Sequence, residues 1–277
     1  MNTPDAEPHD EPKPVAPADP DLKIQLRRAT RRGFATAGVA LLGGYGAWRW
    51  LATRPGQGGV VWPLRRVLEA NERIALGTFQ PSRLAPDFAR NRAGVPRVNG
   101  TIGTTDDEVD PATWRLKVDG GALEGERRLV SLDQIKALPR FEQTTELKCI
   151  EGWSTVVRWA GARLADLAAS TGSSSRSGRP YSASKPPDDL LSYVSLATPG
   201  GVYYVGLDMP SALHPQTLLC YEMNGQPLSP DHGAPLRLII PLKYGIKNIK
   251  QIKTLRFTDR RPADYWAERG YDYHAGH

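Results

Sequence analysis

Between residues 113 and 259 the chain is a succession of strand-length apolar segments, each cut off by a turn signal, and this limits the fold more than any other feature. Residues 113–119 alternate Trp114 and Leu116 with Thr113, Arg115 and Lys117, the period of a half-buried strand. Residues 144–150, 191–196, 202–205, 236–240 and 249–259 are further strand candidates. Gly120-Gly121 and Asn224-Gly225 supply turns, and Pro241 closes 236–240. Helical patterns are few. Residues 60–73 place Leu64, Val67 and Leu68 on one face, and Pro63 is tolerated near the start. Residues 131–138 have Ser131 as a cap and Leu132, Ile135 and Leu138 on one face. Residues 163–170 make a short amphipathic helix, and the apolar run 216–221 is read as helical. Residues 76–110, broken by Pro81, Pro86, Gly94, Pro96, Gly100 and Gly103, read as extended chain and loop, and 171–189 as a surface loop. Many strands with few, short helices predict a mixed, β-rich α+β domain. The absence of βαβ periodicity and of Gly-x-Gly-x-x-Gly disfavours a doubly wound nucleotide-binding sheet.

The N-terminal part reads differently. Residues 1–29 form a polar region, Pro-rich at its start, that cannot build a core and is expected to be disordered. Residues 30–54 open with Thr30-Arg31-Arg32-Gly33-Phe34 and continue as an apolar run over 35–51, interrupted by Arg49. Paired arginines before a modestly apolar run resemble a twin-arginine export signal, a route that carries folded, cofactor-loaded proteins. The run ends in bulky residues with no small-residue cleavage site, so cleavage and retention as an anchor over 34–51 both stand, with Trp48 and Trp50 suited to a membrane interface. The expected location is the periplasm, held at the inner membrane if the segment is kept. Net charge is +6 with arginines clustered at 27, 28, 31 and 32, which is targeting material before it is a nucleic-acid footprint. No zinc-finger or RNA-binding spacing is present, so nucleic acid is not an expected partner. The two cysteines, Cys149 and Cys220, could form a disulfide, though a chain of this size does not need one.

The segment 147–161 carries the chemistry. Cys149 falls at the end of a predicted strand, with Lys148 beside it and Trp153 and Trp159 downstream. A cysteine so placed can project into a cleft, a nearby ammonium can lower its pKa, and a thiolate suits a soft metal centre. A buried inert thiol is the plain alternative.

Cys149-Ile150-Glu151-Gly152-Trp153-Ser154, followed by Val156-Val157, Trp159 and Gly161, resembles the molybdenum-binding cysteine motif of the sulfite oxidase superfamily of molybdopterin oxidoreductases. The likeness is greatest to its periplasmic methionine-sulfoxide reductase branch. It resumes at Ala212-Leu213-His214-Pro215 with Thr217-Leu218, and again from Gly233-Ala234-Pro235 through Arg237 and Pro241 to Lys250. Residues 55–277 would then form one molybdopterin-binding oxidoreductase domain of the sulfite oxidase type. The resemblance makes Cys149 the molybdenum ligand and catalytic residue. It makes Asn99, Ile102, Gly103, Thr198, His232, Arg237, Asn248, Ile249 and Lys250 cofactor contacts. Arg237 offers a rigid fork for the pterin phosphate, and Lys243 and Lys247 would thicken the positive field. His214 is expected to orient local structure, and Tyr203 and Tyr204 to edge a substrate funnel or pack in the core.

The implied reaction is oxygen-atom transfer, such as reduction of protein methionine sulfoxide or small sulfoxides. Sulfite oxidation is the enzymatic alternative, for which Arg158 and Arg163 would have to face the metal. A membrane-tethered binding module without catalysis is the other. No haem-attachment motif is present and two cysteines cannot hold an iron–sulfur cluster unaided, so electrons require a partner. The resemblance implies a membrane haem b subunit or a soluble cytochrome.

Overall fold

The computed structural model describes residues 20–57, 59–104, 109–121, 125 and 127–277. Residues 1–19, most of the region expected to be disordered, and 105–108, inside the expected 76–110 loop, lie outside them. The chain divides into two compact units, Met1–Arg54 and Pro55–His277.

The described residues of the first unit form one helix, α1 (Pro20–Ala52). It begins inside the polar region, and residues 20–29, expected to be disordered, are helical. Ile24 to Arg32 are mostly Leu, Gln, Arg and Ala, good helix formers, and Pro20 at the first position costs nothing because that N–H has no intrahelical partner. Phe34, Val39, Leu41, Leu42, Tyr45, Trp48 and Trp50 are exposed. No helix among the described residues is long and apolar enough to cross a membrane.

The second unit runs β1 (Gly56–Gln57), β2 (Val60–Val61), α2 (Trp62–Thr78), β3 (Arg115–Asp119), β4 (Arg128–Ser131), α3 (Leu132–Lys136), β5 (Arg140–Lys148), β6 (Ser154–Arg163), α4 (Leu164–Thr171), β7 (Tyr193–Ala197), β8 (Tyr204–Asp208), α5 (Met209–Ala212), β9 (Leu218–Met223), β10 (Gln226–Pro227), β11 (Arg237–Ile239) and β12 (Thr254–Thr258). This is the expected α+β architecture. One sheet has the order β4-β3-β12-β7-β8, and the other β10-β9-β6-β5 with β11 also on β9. All pairs are antiparallel except β3 with β12. Ser131 caps α3 through a reciprocal box with Gln134, as its sequence position predicts. Asn224 and Gly225 both take positive φ, the geometry of a two-residue hairpin turn between β9 and β10.

Two strand and helix predictions change. The strand expected over 249–259 is confined to β12 (Thr254–Thr258), and residues 218–221, within the run 216–221 read as helical, belong instead to β9. Leu219 and Tyr221 enter the main core, with Leu116, Leu196, Leu207 and Phe257, while Leu218 and Cys220 join a second cluster with Val157 and Trp159. A strand buried on both faces loses polar alternation, so its apolar run has no visible period of two. β6 crosses β9 closely at a bulge between Ala160 and Gly161. A Cβ on Gly161 would collide with the Leu219 carbonyl and come within 2.7 Å of Cys220 Cα, so only glycine fits.

Candidate active site

β5 and β6 pair as one long hairpin, from Arg140↔Ala162 to Lys148↔Ser154. Cys149 occupies the turn at its end. Its N–H donates to Trp153 O (2.9 Å), and its carbonyl accepts from Gly152 N–H (3.1 Å). The thiol is half-buried and free. Cys220 is also free, so the admissible disulfide is not formed. Burial pushes the Cys220 thiol up to about 12, leaving it inert.

An extended strap, residues 79–98, brings Asn99 to Cys149. Gln216 fastens it by accepting from Ala85 N–H (2.7 Å) and donating to Ala85 O (3.0 Å). Asp87 accepts from Thr144 N–H (2.7 Å), Phe88 N–H donates to Thr144 O (2.8 Å), and Asn224 donates to Gly94 O (2.9 Å). His214 Nδ1 accepts from Gln216 N–H, which leaves Nε2–H to donate to Arg83 O (3.2 Å). Burial lowers its pKa, and this neutral imidazole anchors the strap, the structural role expected of it. At the strap's end Asn99 Nδ2 lies 3.6 Å from Cys149 Sγ and 3.3 Å from Glu151 Oε2. The same carboxylate oxygen accepts from Trp153 Nε1 (3.1 Å).

The opposite wall is cationic. Arg237, at the start of β11, is buried with its guanidinium over the Trp159 ring at 5.0 Å. It donates to His232 O (3.0 Å) and Asn248 O (3.2 Å), while its buried Nε has no partner among the described residues. Burial pushes its pKa down to about 10. Lys250 donates to Asn99 O (2.9 Å), Gly100 O (3.3 Å) and Asp231 O (2.8 Å), and burial, then Arg237, pushes it down to about 8. His232 is lowered by burial and by the same two cations. Neither Arg237 nor Lys250 forms an ion pair among the described residues. Two cations held by carbonyls, one with an orphaned donor, are arranged for an anion. Asn248 contributes differently from expectation. Its side chain bonds Ile240 N–H and the Lys243 and Tyr244 carbonyls, and its N–H donates to Gly245 O.

These walls enclose a cavity of about 220 Å³. Eight of the ten residues proposed from the sequence line it: Asn99, Ile102, Cys149, His232, Arg237, Asn248, Ile249 and Lys250. Gly103 and Thr198 sit behind the lining. Gly103 has φ +74°, and the Thr198 hydroxyl fills the space a Cβ would need. That hydroxyl accepts from Tyr203 N–H (3.0 Å) and donates to Tyr203 O (3.2 Å). Trp153, expected from the sequence to wall the site with Trp159, lines the cavity, and Arg97, Glu151, Ile246, Trp266 and Tyr271 line it without having been proposed as site residues. Tyr203, placed from sequence at either a funnel or the core, also lines it; its hydroxyl donates to Ile246 O (2.5 Å), and burial raises its pKa, so it is not a ready proton donor.

Two other points of the sequence reading are answered. Lys243 and Lys247 do not thicken the field in the cavity. Lys243 is buried 3.5 Å from Asp208 and Lys247 is buried 2.5 Å from Asp264, so a carboxylate offsets each charge. Arg158 and Arg163 are absent from the lining. Arg163 lies over the Phe141 ring at 4.2 Å, and Arg158 packs against Gly225.

Among the described residues no group of three or more His, Cys, Asp or Glu could hold a metal. A metal beside Cys149 must therefore bring most of its ligands with it, on an anionic carrier that the Arg237–Lys250 end can hold. One free thiol facing a cation-ended cavity on an α+β scaffold defines an enzyme dependent on a metal-bearing, anionic cofactor.

Residues 102–266 match the family described as oxidoreductase molybdopterin binding domain, and the chain belongs to that family: it is a molybdopterin-dependent oxidoreductase. It is 34% identical over 200 residues to the putative protein-methionine-sulfoxide reductase subunit YedZ1 of Azospira oryzae, covering 72% of this chain and 70% of that one. It is 32% identical over 192 residues to the protein-methionine-sulfoxide reductase catalytic subunit MsrP of Ralstonia nicotianae, covering 65% of this chain and 52% of that one. The chain thus spans about half the length of the second relative.

Proposed function

We propose that the protein reduces sulfoxides, including methionine sulfoxide in proteins, using two electrons and two protons to release the sulfide and water. The observation that carries this reading is the lining of the cavity. It offers a half-buried thiol, an amide directed at it and aromatic walls; of the arginines near the motif, Arg158 and Arg163 are turned elsewhere, and Arg97, which does line the cavity, lies over the Trp153 ring at 5.9 Å. The names of the two relatives point the same way.

Molybdopterin, when bound, supplies a metal that passes two electrons and exchanges one oxygen atom with the substrate. Cys149 Sγ is the protein's ligand to that metal, and Arg237 and Lys250 hold the cofactor's phosphate. Asn99 Nδ2 donates toward Sγ, and the Glu151 carboxylate, by accepting from both Asn99 and Trp153, fixes which end of the amide faces the sulfur. Trp153, Trp266 and Tyr271 supply apolar surface against a thioether-like substrate and exclude water. Electrons come from a membrane haem b subunit or a soluble cytochrome. The paired arginines Arg31 and Arg32 before the apolar run of α1 support export by the twin-arginine route and a periplasmic location at the inner membrane.

The test is to load the protein with cofactor and supply a reduced artificial donor with methionine sulfoxide, or sulfite with an acceptor. Donor oxidation dependent on sulfoxide is expected. Turnover of sulfite alone would overturn the substrate, and a loaded protein that turns over neither would be a tethered binding module.

A further inference from the structure

α2 is built inside out. Its buried residues are charged: Arg65 donates to Ala267 O (2.6 Å) and Tyr271 O (3.4 Å), and Glu72 pairs with Arg261 (2.8 Å). Its outward residues are apolar: Trp62 is 40% exposed, Leu64 45%, Val67 56% and Ile74 65%. Leu64, Val67, Asn71 and Ile74 are spaced 3, 4 and 3 apart, so they form one stripe along the helix. Arg66 and Arg73, also exposed, flank it, and Arg66 pairs with Glu69 (3.1 Å). A helix that buries Arg65 and Glu72 while leaving an apolar stripe in solvent needs an apolar partner on that face.

Two observations identify the partner. The first is charge. Residues 20–78, which contain α1 and α2, hold ten Lys and Arg against three Asp and Glu, an excess of seven that exceeds the net +6 of the whole chain. The second is continuity. α1 ends at Ala52 and α2 begins at Trp62, so nine residues join two helices that both expose apolar side chains. Nine residues reach at most about 30 Å, so an apolar phase that takes up the one is within reach of the other. We propose that the outward stripe of α2 lies in the surface of an anionic lipid bilayer, with Leu64, Val67 and Ile74 among the acyl chains and Arg66 and Arg73 at the phosphates. The inward Arg65 then ties the lipid-bound helix to residues 267–271, the segment that brings Tyr271 to the cavity wall. The inference rests on the membrane location proposed above.

Hydrogen exchange resolved along the full chain tests it, with vesicles of pure phosphatidylcholine or of phosphatidylcholine and phosphatidylglycerol. Anionic vesicles are expected to slow exchange roughly tenfold across 62–78 as well as across α1. Val67→Glu with Ile74→Glu, both at exposed positions, should abolish the slowing in 62–78 while α1 stays protected, and Val67→Leu with Ile74→Leu should preserve it. Protection of α1 with none in 62–78 would overturn the inference and leave the membrane location standing. Protection of neither would overturn both. Slowing in 62–78 that ignores lipid charge or survives the glutamates, or that appears only when a membrane protein is added to the vesicles, would also overturn it.

Discussion

On the function proposed above, Arg237 is the residue on which the cationic end of the cavity turns. It is held by two carbonyls in a buried position and keeps one donor, Nε, unpaired. Lysine there would keep a charge but lose the fork. Arg237→Lys is expected to weaken cofactor retention by about 1–3 kcal/mol, roughly five- to 150-fold, read as pterin remaining after gel filtration. Lys250 adds a pH dependence. In the folded, cofactor-free protein its pKa is pushed down to about 8 from an ordinary 10.5. The folded state thus binds fewer protons than the unfolded one between those values, so the charged ammonium costs stability below about 8 and the cost fades as pH rises. An anion in the cavity favours the ammonium. Cofactor retention should therefore fall as pH rises above about 8, and Lys250→Met should flatten that fall in a retention series from neutral to alkaline pH. Only part of this was legible in the sequence. Arg237 and Lys250 stand in a motif, but the carboxylates that offset Lys243 and Lys247 come from Asp208 and Asp264, which no local pattern links to them.

At the scale of elements, the strap 79–98 and α2 are what place the lining. Gln216 makes both side-chain bonds to Ala85 from a buried position, so Gln216→Ala should cost about 1–3 kcal/mol in denaturant unfolding and speed proteolysis within the strap. Arg65→Met removes buried bonds to Ala267 O and Tyr271 O, and a loss of similar size is expected, with faster exchange in 266–271. The strap reads from its prolines and glycines as extended chain, which holds apart from a 3-10 turn at Arg90–Arg92, while residues 76–78 of the range read as loop belong to α2; its fastening depends on contacts to residues far along the sequence. β9 shows the limit of periodicity: with Leu218 and Cys220 on one side and Leu219 and Tyr221 on the other, it carries no polar beat to announce a strand. By contrast β3, half-buried with Lys117 exposed, alternates and was legible.

For the whole molecule, the order of short strands was enough to give an α+β fold, and three ordered motif blocks were enough to place eight residues in one cavity. The far wall was not legible. Trp266 and Tyr271 come from the C-terminal region, outside those blocks, on a segment held by Arg65 of α2, which donates to Ala267 O and Tyr271 O, and by β8, where Tyr265 N–H donates to Tyr204 O.

Metal and pterin content tests the central claim most directly. The protein, made in cells that assemble the molybdenum cofactor, should carry about one molybdenum and one pterin per chain. Cys149→Ala should alter the metal's coordination and abolish activity, beyond the roughly 10–100-fold typical of a supporting residue, while pterin persists through Arg237 and Lys250. Wild-type protein that stays empty while a control enzyme in the same cells is loaded would contradict it.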